Sequence, residues 1–259
     1  MSVKIEKNEA IWTVVLSRPE ASNAIDPDTA EALYEAFLEF NQDESAKVAV
    51  LCGDGGVFCA GWDLKEAATL NDDEFFESRN MPDDDSQMPP ALLGPTRLTL
   101  DKPVIAAIAG PAVAGGMELA LWCDFRVMEK SSFFGVYCRR WGIPLIDGGT
   151  VRLPRLVGEG RAREIVLTGR KVEAKEAIII GLCEYMVEDG QSRESAEKLA
   201  LEIASHPQHC VRADRRSLIN QYGKSVREAM TYEWFNGREA LFNEGLTGAA
   251  RFSESKQKN

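Results

Sequence analysis

The chain moves between two rhythms of apolar and polar residues. Residues 10–16 (AIWTVVL) are rich in β-branched and aromatic side chains, which predicts a strand, and Arg18-Pro19 ends it. Residues 30–38 keep a different beat. Ala30, Leu33, Tyr34, Phe37 and Leu38 recur at i, i+3, i+4, i+7 and i+8, which gives a helix one apolar stripe. Asp26 before Pro27 supplies its N-cap and first turn. Residues 47–52 (KVAVLC) then form a short, nearly all-apolar run, the mark of a buried strand. Strand, helix and strand in this order predict a layered α/β architecture.

The pattern continues with a turn cluster at 53–56, and residues 58–65 (FCAGWDLK) lead from it into a helix. Residues 71–85 hold seven acids and one arginine and read as a solvated, mobile surface segment. Asp101-Lys102-Pro103 announces a third strand at 104–109. A glycine turn, a short helix at 115–123 and a strand at 125–128 follow. From about residue 158 the rhythm becomes helical, with predicted helices at 161–168, 174–180, 192–204, 211–221 and 226–246, then a tail rich in Ser and Lys. No low-complexity linker or internal repeat divides the chain. The expected organisation is a mixed core over 1–200 and a helical part over 201–259.

Composition narrows the function classes. With 259 residues, 44% hydrophobic and 27% charged, the chain can bury a substantial core. The balance of 30 basic and 41 acidic residues leaves a net charge of −11 and no concentrated basic run. Phosphate backbones and anionic membranes should repel it. The apolar stretch at 104–117 is too short and glycine-rich to span a bilayer. The six cysteines form no C-x-x-C pair, and His206 and His209 are the two histidines, so no metal site is expected. Scattered thiols suit a reducing compartment, and residues 1–10 lack the apolar core of a secretory signal; a cytoplasmic location is expected.

The candidate chemistry sits where two stretches share one plan: a strand, small residues, then a helix start. One is 57–62, the other 110–118. Small residues let a backbone approach a ligand closely, and a helix start offers unpaired N–H groups. Two such elements facing each other could hold an oxyanion. Spacing alone favours the plainer reading, tight turns and close strand–helix packing.

More of the chain bears on that choice. The blocks are Arg18-Pro19 with Asn23-Ala24-Ile25, FCAGWDLK (58–65), DKPVIAAIAG (101–110), AGGMELALWCD (114–124), WGIPLIDGGTVRLPRLVG (141–158) and LTGRKVEAKEAIIIGL (167–182). In order and spacing they resemble the crotonase, or enoyl-CoA hydratase/isomerase, superfamily over nearly the whole chain. The resemblance implies a spiral of ββα units with a helical C-terminal part that builds trimers or hexamers. It implies an acyl-CoA thioester substrate, with coenzyme A arriving as part of the substrate and no separate cofactor.

Laid on residue by residue, the resemblance puts the two oxyanion-holding N–H groups at Cys59 and Gly115. It puts a catalytic carboxylate at Glu118, whose neighbours in MELALWC are apolar, a setting that raises a carboxylate pKa. Ala60, Gly61, Trp62, Asp63 and Leu64 match the stretch that cradles coenzyme A. Arg18 and the backbone near Ala21 match positions that approach the CoA phosphates. Phe252 matches a C-terminal aromatic that closes the CoA pocket. Asp63 reads either as a catalytic acid or as the helix-start residue that orders this loop. The hydratases' second glutamate is replaced by Cys138. Asp147 could substitute for it as an acid/base partner of Glu118, or could instead cap the helix that follows; Tyr137 and Cys138 are weaker relay candidates. Enoyl-CoA hydration or dehydration leads the readings, followed by double-bond isomerisation, then thioester hydrolysis or decarboxylation. A silent acyl-CoA binder and an RNA-binding relative stand outside catalysis.

Overall fold

The computed structural model describes residues 1–70, 73–84 and 88–256. Its centre is a six-stranded sheet in the order β1-β2-β3-β4-β6-β9. The strands are β1 (Val3–Asn8), β2 (Ile11–Leu16), β3 (Val48–Gly53), β4 (Val104–Ile108), β6 (Phe125–Glu129) and β9 (Tyr185–Val187). The β1–β2 pair is antiparallel; every other neighbouring pair is parallel. A smaller sheet joins β5 (Pro111–Val113), β7 (Phe133–Gly135) and β8 (Lys171–Glu173).

Side chains alternate across the main sheet, and helices cover both faces. Trp12, Val14 and Leu16, with Ala49, Leu51 and Ala106, join a core that includes Leu33, Phe37 and Phe40 of α1 (Pro27–Gln42). Asp26 caps α1 by accepting from Thr29 N–H at 2.8 Å. On the opposite face Ile11, Val15, Val48, Val50 and Val127 meet Ala196, Ala200 and Ala204 of α8 (Ser192–Ser205). Three alanines on one stripe let α8 lie close against the strands.

The remaining helices are α2 (Leu64–Ala67), α3 (Asp73–Glu77), α4 (Gly115–Trp122), α5 (Gly149–Val157), α6 (Glu159–Thr168), α7 (Ala174–Ile179), α9 (Gln208–Asn220), α10 (Val226–Ala240) and α11 (Leu246–Lys256). Four expectations change. The division at residue 200 falls inside α8, which belongs to the core by its packing; the helical part starts after Ser205. Residues 226–246 are not one helix with a polar tail: α10 passes through a π turn at Leu241–Gly245 into α11. Strand β1 was not expected, because its burial is slight and its VKIEKN sequence lacks an apolar run. Of the acidic 71–85 stretch, residues 71, 72 and 85 lie outside the described residues. The rest holds α3, and Phe75 packs against the core beneath the Arg79 guanidinium, 3.8 Å from its ring centre. Among the described residues, no helix is long and apolar enough to cross a membrane.

Candidate active site

The site begins where β5 ends. Ala114 takes φ 54°, ψ −125°, a conformation costly for a residue with a side chain, and its N–H donates to Gly135 O at 2.7 Å. This turn starts α4 at Gly115 and leaves the Gly115 N–H outside the helical bonding pattern. The 58–62 stretch crosses directly over this start. A Cβ on Gly116 would lie 2.0 Å from Cys59 O, and one on Gly61, whose φ is +92°, would lie 2.7 Å from Gly115 N. Glycine at both places permits this approach.

The backbone bonding shows which donors are free. Cys59 pairs with Ala112 as a parallel bridge: Cys59 N–H donates to Pro111 O at 3.2 Å, and Val113 N–H donates to Cys59 O at 3.0 Å. The expected donor at Cys59 is therefore already used. On the other side, Ile25 N–H donates to Gly61 O and Asp63 N–H donates to Ile25 O, both at 2.8 Å. That leaves the intervening Trp62 N–H without a hydrogen-bond partner among the described residues, as is the Gly115 N–H. Trp62 and Gly115 line one cavity together. The Cys59 thiol is wholly buried and pushed up to about 12 by that burial, so it is no nucleophile.

Glu118 stands on the first turn of α4, lines the same cavity and is 3% exposed. Its Oε1 accepts from Asp147 N–H at 3.0 Å and from Gly149 N–H at 2.8 Å. Its Oε2 has no hydrogen bond among the described residues. Burial raises its pKa to about 7; the Asp147 carboxylate adds to the rise, while the two N–H groups and Arg152 oppose it.

Asp147 is also buried, on the cavity wall. It does not cap α5: the N-cap is Gly148, in a left-handed conformation with no side-chain cap. Instead Asp147 Oδ1 accepts from Leu93 N–H at 3.0 Å and Thr96 Oγ1–H at 2.6 Å. Burial raises its pKa. Tyr137 and Cys138 line the cavity from a 3-10 turn, and burial, with Glu118 nearby, raises the Cys138 thiol.

The other expected residues divide. Ala60, Trp62 and Leu64 line the cavity with Glu118. Asp63 is the N-cap of α2: its Oδ1 accepts from Lys65 N–H at 3.1 Å, and its Oδ2 takes Arg18. Arg18 is not an open phosphate contact. Its guanidinium is held by Asp26 at 3.0 Å, Asp63 at 3.1 Å and Ala24 O at 2.6 Å, so it ties the start of α1 to the start of α2. Ala21 lies in the 3-10 turn at Pro19–Ala21, off the cavity wall. Phe252 is on α11, 61% exposed and not part of that wall. Sequence reading missed Leu93, Thr96 and Arg152, which brace the carboxylates; Leu93 and Thr96 lie in a stretch with no motif, and Arg152 stands within the 141–158 block with nothing local to single it out.

Two unpaired N–H groups above a buried carboxylate can take a carbonyl oxygen that gains negative charge while a proton moves beside it. Fold and site thus define the class as an acid–base enzyme built on a spiral α/β core. The chain belongs to the enoyl-CoA hydratase/isomerase family, whose sequence model matches residues 6–258, and so to the crotonase superfamily. It is 39% identical to the carnitinyl-CoA dehydratase of Salmonella typhi over 206 residues, covering 79% of this chain and 75% of that one. Among solved structures, an enoyl-CoA hydratase from Mycobacterium tuberculosis H37Rv superposes with a TM-score of 0.88 at 31% identity, covering 98% of this chain and 96% of that one. One from Bacillus anthracis gives 0.87 at 30% identity, covering 98% and 97%.

Proposed function

We propose that this enzyme hydrates an enoyl-CoA thioester or runs the reverse dehydration. The observation that carries the reading is the pair of unpaired N–H groups, Trp62 and Gly115, on the cavity wall that also holds Glu118. The thioester carbonyl oxygen sits between the two donors. As water adds to C3, Glu118 Oε2 accepts its proton, the C2=C3 π electrons move toward the carbonyl, and the enolate oxygen takes the charge. Protonated Glu118 then returns a proton to C2, so one carboxylate closes the cycle. Asp147 stands as the acid/base partner that could share this traffic. The backbone from Ala60 to Leu64 accommodates the pantetheine arm, and coenzyme A enters and leaves with the acyl group.

One observation favours a second reading. Cys138, with its thiol pKa raised, lines the cavity near Glu118 where the hydratase pattern has a second glutamate. A single carboxylate suffices to carry a proton between C2 and C4, which is double-bond isomerisation. The subunits are proposed to assemble through α10 and α11 as trimers or hexamers.

The test is a panel of enoyl-CoA and 3-hydroxyacyl-CoA substrates in deuterated water, with products read by mass spectrometry for wild type and Glu118→Gln. Deuterium at C2 with oxygen at C3 is expected, with kcat reduced at least ~100-fold in Glu118→Gln. A shifted double bond establishes the isomerase instead. Free acid or no turnover overturns both.

A further inference from the structure

Arg152 does not line the cavity around Glu118, yet it touches what holds Glu118 in place. Its Nη1 donates to Asp147 O at 3.0 Å and its Nη2 to Thr96 O at 2.6 Å. Those acceptors belong to the two backbone segments that surround the carboxylate. The 147–149 turn supplies the two N–H groups on Glu118 Oε1. The 93–96 segment supplies the donors on Asp147 and also packs Leu93 against Gly115, where a Cβ would meet Leu93 Cδ2 at 2.8 Å. One planar guanidinium spans both segments from behind.

The sequence around it is shaped to admit that guanidinium. Gly148 has φ +97°, and a Cβ there would stand 2.1 Å from Arg152 Nη1. Arg152 lies one helical turn on, its N–H donating to Gly148 O at 2.9 Å. Glycine at 148 therefore serves two needs at once, the left-handed turn and the passage of the arginine. Both of these hydrogen bonds of Arg152 go to neutral carbonyls rather than to carboxylates. Its positive charge remains available to the carboxylates in front of it.

We propose that Arg152 is the positioning residue of this site, locking the 93–96 segment to the 147–149 turn so that Glu118 is held with one oxygen fixed and the other free. The proposal rests on Glu118 being the acid–base group of the proposed reaction. The charged and titratable groups facing Glu118 are Asp147 from the turn, Tyr137 and Cys138 from the 3-10 turn and Arg152 from α5. Arg152 is the cation among these. Burial, with the Asp147 carboxylate, raises the Glu118 pKa; the Gly149 and Asp147 N–H groups that Arg152 holds in place oppose that rise, and the charge of Arg152 adds a smaller lowering of its own.

Arg152→Met and Arg152→Lys test geometry and charge separately, because lysine keeps the charge but cannot span two carbonyls with a planar fork. Two readouts apply to each. The first needs no turnover. Glu118→Gln is introduced into the wild type and into each Arg152 variant, and the melting-temperature change it causes is measured from pH 4 to 9. That change levels off at the pKa of folded Glu118. The levelling pH should rise detectably in Arg152→Met and stay near wild type in Arg152→Lys. The second is kinetic: both variants should lose about tenfold or more in kcat, with KM changed less than about threefold. If Arg152→Met does not fold, Arg152→Lys alone carries the test through its loss of kcat. Folded variants with wild-type kcat and an unmoved levelling pH overturn the proposal. If no enoyl-CoA is turned over but the levelling pH moves, the proposed reaction fails while the hold of Arg152 on Glu118 stands.

Discussion

Burial that suits Glu118 to proton transfer also makes its charge costly to the fold. Its pKa lies at about 7 in the folded chain against 4.5 for the free side chain, because burial disfavours the anion. The sign follows directly. A raised pKa means the folded state binds the proton more tightly, so the stability gained is complete below pH 4.5 and is lost as pH rises through 7. The ionised form therefore costs about 3 kcal/mol at pH 8. Replacing Glu118 with Gln removes that cost but keeps an oxygen for the Asp147 and Gly149 donors. Calorimetry should show Glu118→Gln melting above wild type at pH 8 and beside it at pH 4.5, while activity of the wild type rises with pH through about 7 as the base ionises. Asp147 gives a different outcome. Its Oδ1 braces Leu93 and Thr96, so Asp147→Asn keeps an acceptor there but loses the second carboxylate of the cavity. If Asp147 shares the proton traffic, kcat in Asp147→Asn falls at least about tenfold with the melting temperature nearly unchanged; a normal kcat assigns Asp147 to bracing alone.

At the scale of elements, the site depends on how closely one turn crosses another. The 58–62 stretch and the start of α4 meet through Gly61 and Gly116, with no room for a methyl group at either. Gly61 also holds φ +92°, where any other residue is strained. Gly61→Ala should separate the Trp62 and Gly115 donors. Loss of one well-placed donor typically costs about 10²–10³ in rate, so kcat should fall by that order while the folded fraction, read by circular dichroism, stays high. A Gly61→Ala enzyme with more than half of wild-type kcat would show that the two donors do not act together. The same crossing explains why Cys59 tolerates a side chain that takes no part in chemistry: its backbone is committed to β5, and its thiol is sealed in the core.

For the whole molecule, the unfinished surface lies on the C-terminal helices. Val226, Met230 and Trp234 form an i, i+4, i+8 stripe on α10 and are 76%, 62% and 62% exposed, and Phe235, Phe242 and Leu246 extend the apolar surface. A stripe of that size facing water is a feature of subunit contacts. Sedimentation should therefore report an assembly larger than one subunit, and Met230→Glu with Trp234→Glu should shift it toward monomer. Wild type that sediments as a monomer at micromolar concentration rules this assembly out. Phe252 lies on α11, 61% exposed and off the wall of its own chain's cavity.

What the sequence determined by itself is whatever local periodicity and local chemistry control. β2, β3, β4 and α1 with its Asp26 cap follow from runs and stripes of apolar residues, and the apolar surroundings of Glu118 foretold its raised pKa. The tertiary structure decided which groups are left over once the fold has taken its share. Cys59 and Trp62 lie three positions apart in one glycine-rich loop, and nothing local separates their N–H groups. Cys59 loses its donor to Pro111, more than fifty residues away, while Trp62 keeps its own because Ile25 bonds only to Gly61 and Asp63 on either side. Arg18 is committed in part to Asp63, and the capping alternative for Asp147 gives way to the 93–96 segment that takes its carboxylate; both partners come from distant parts of the chain. A hydrogen bond or ion pair depends on what stands within about 3 Å, and for these groups the chain path, not the neighbouring sequence, brings the partner there.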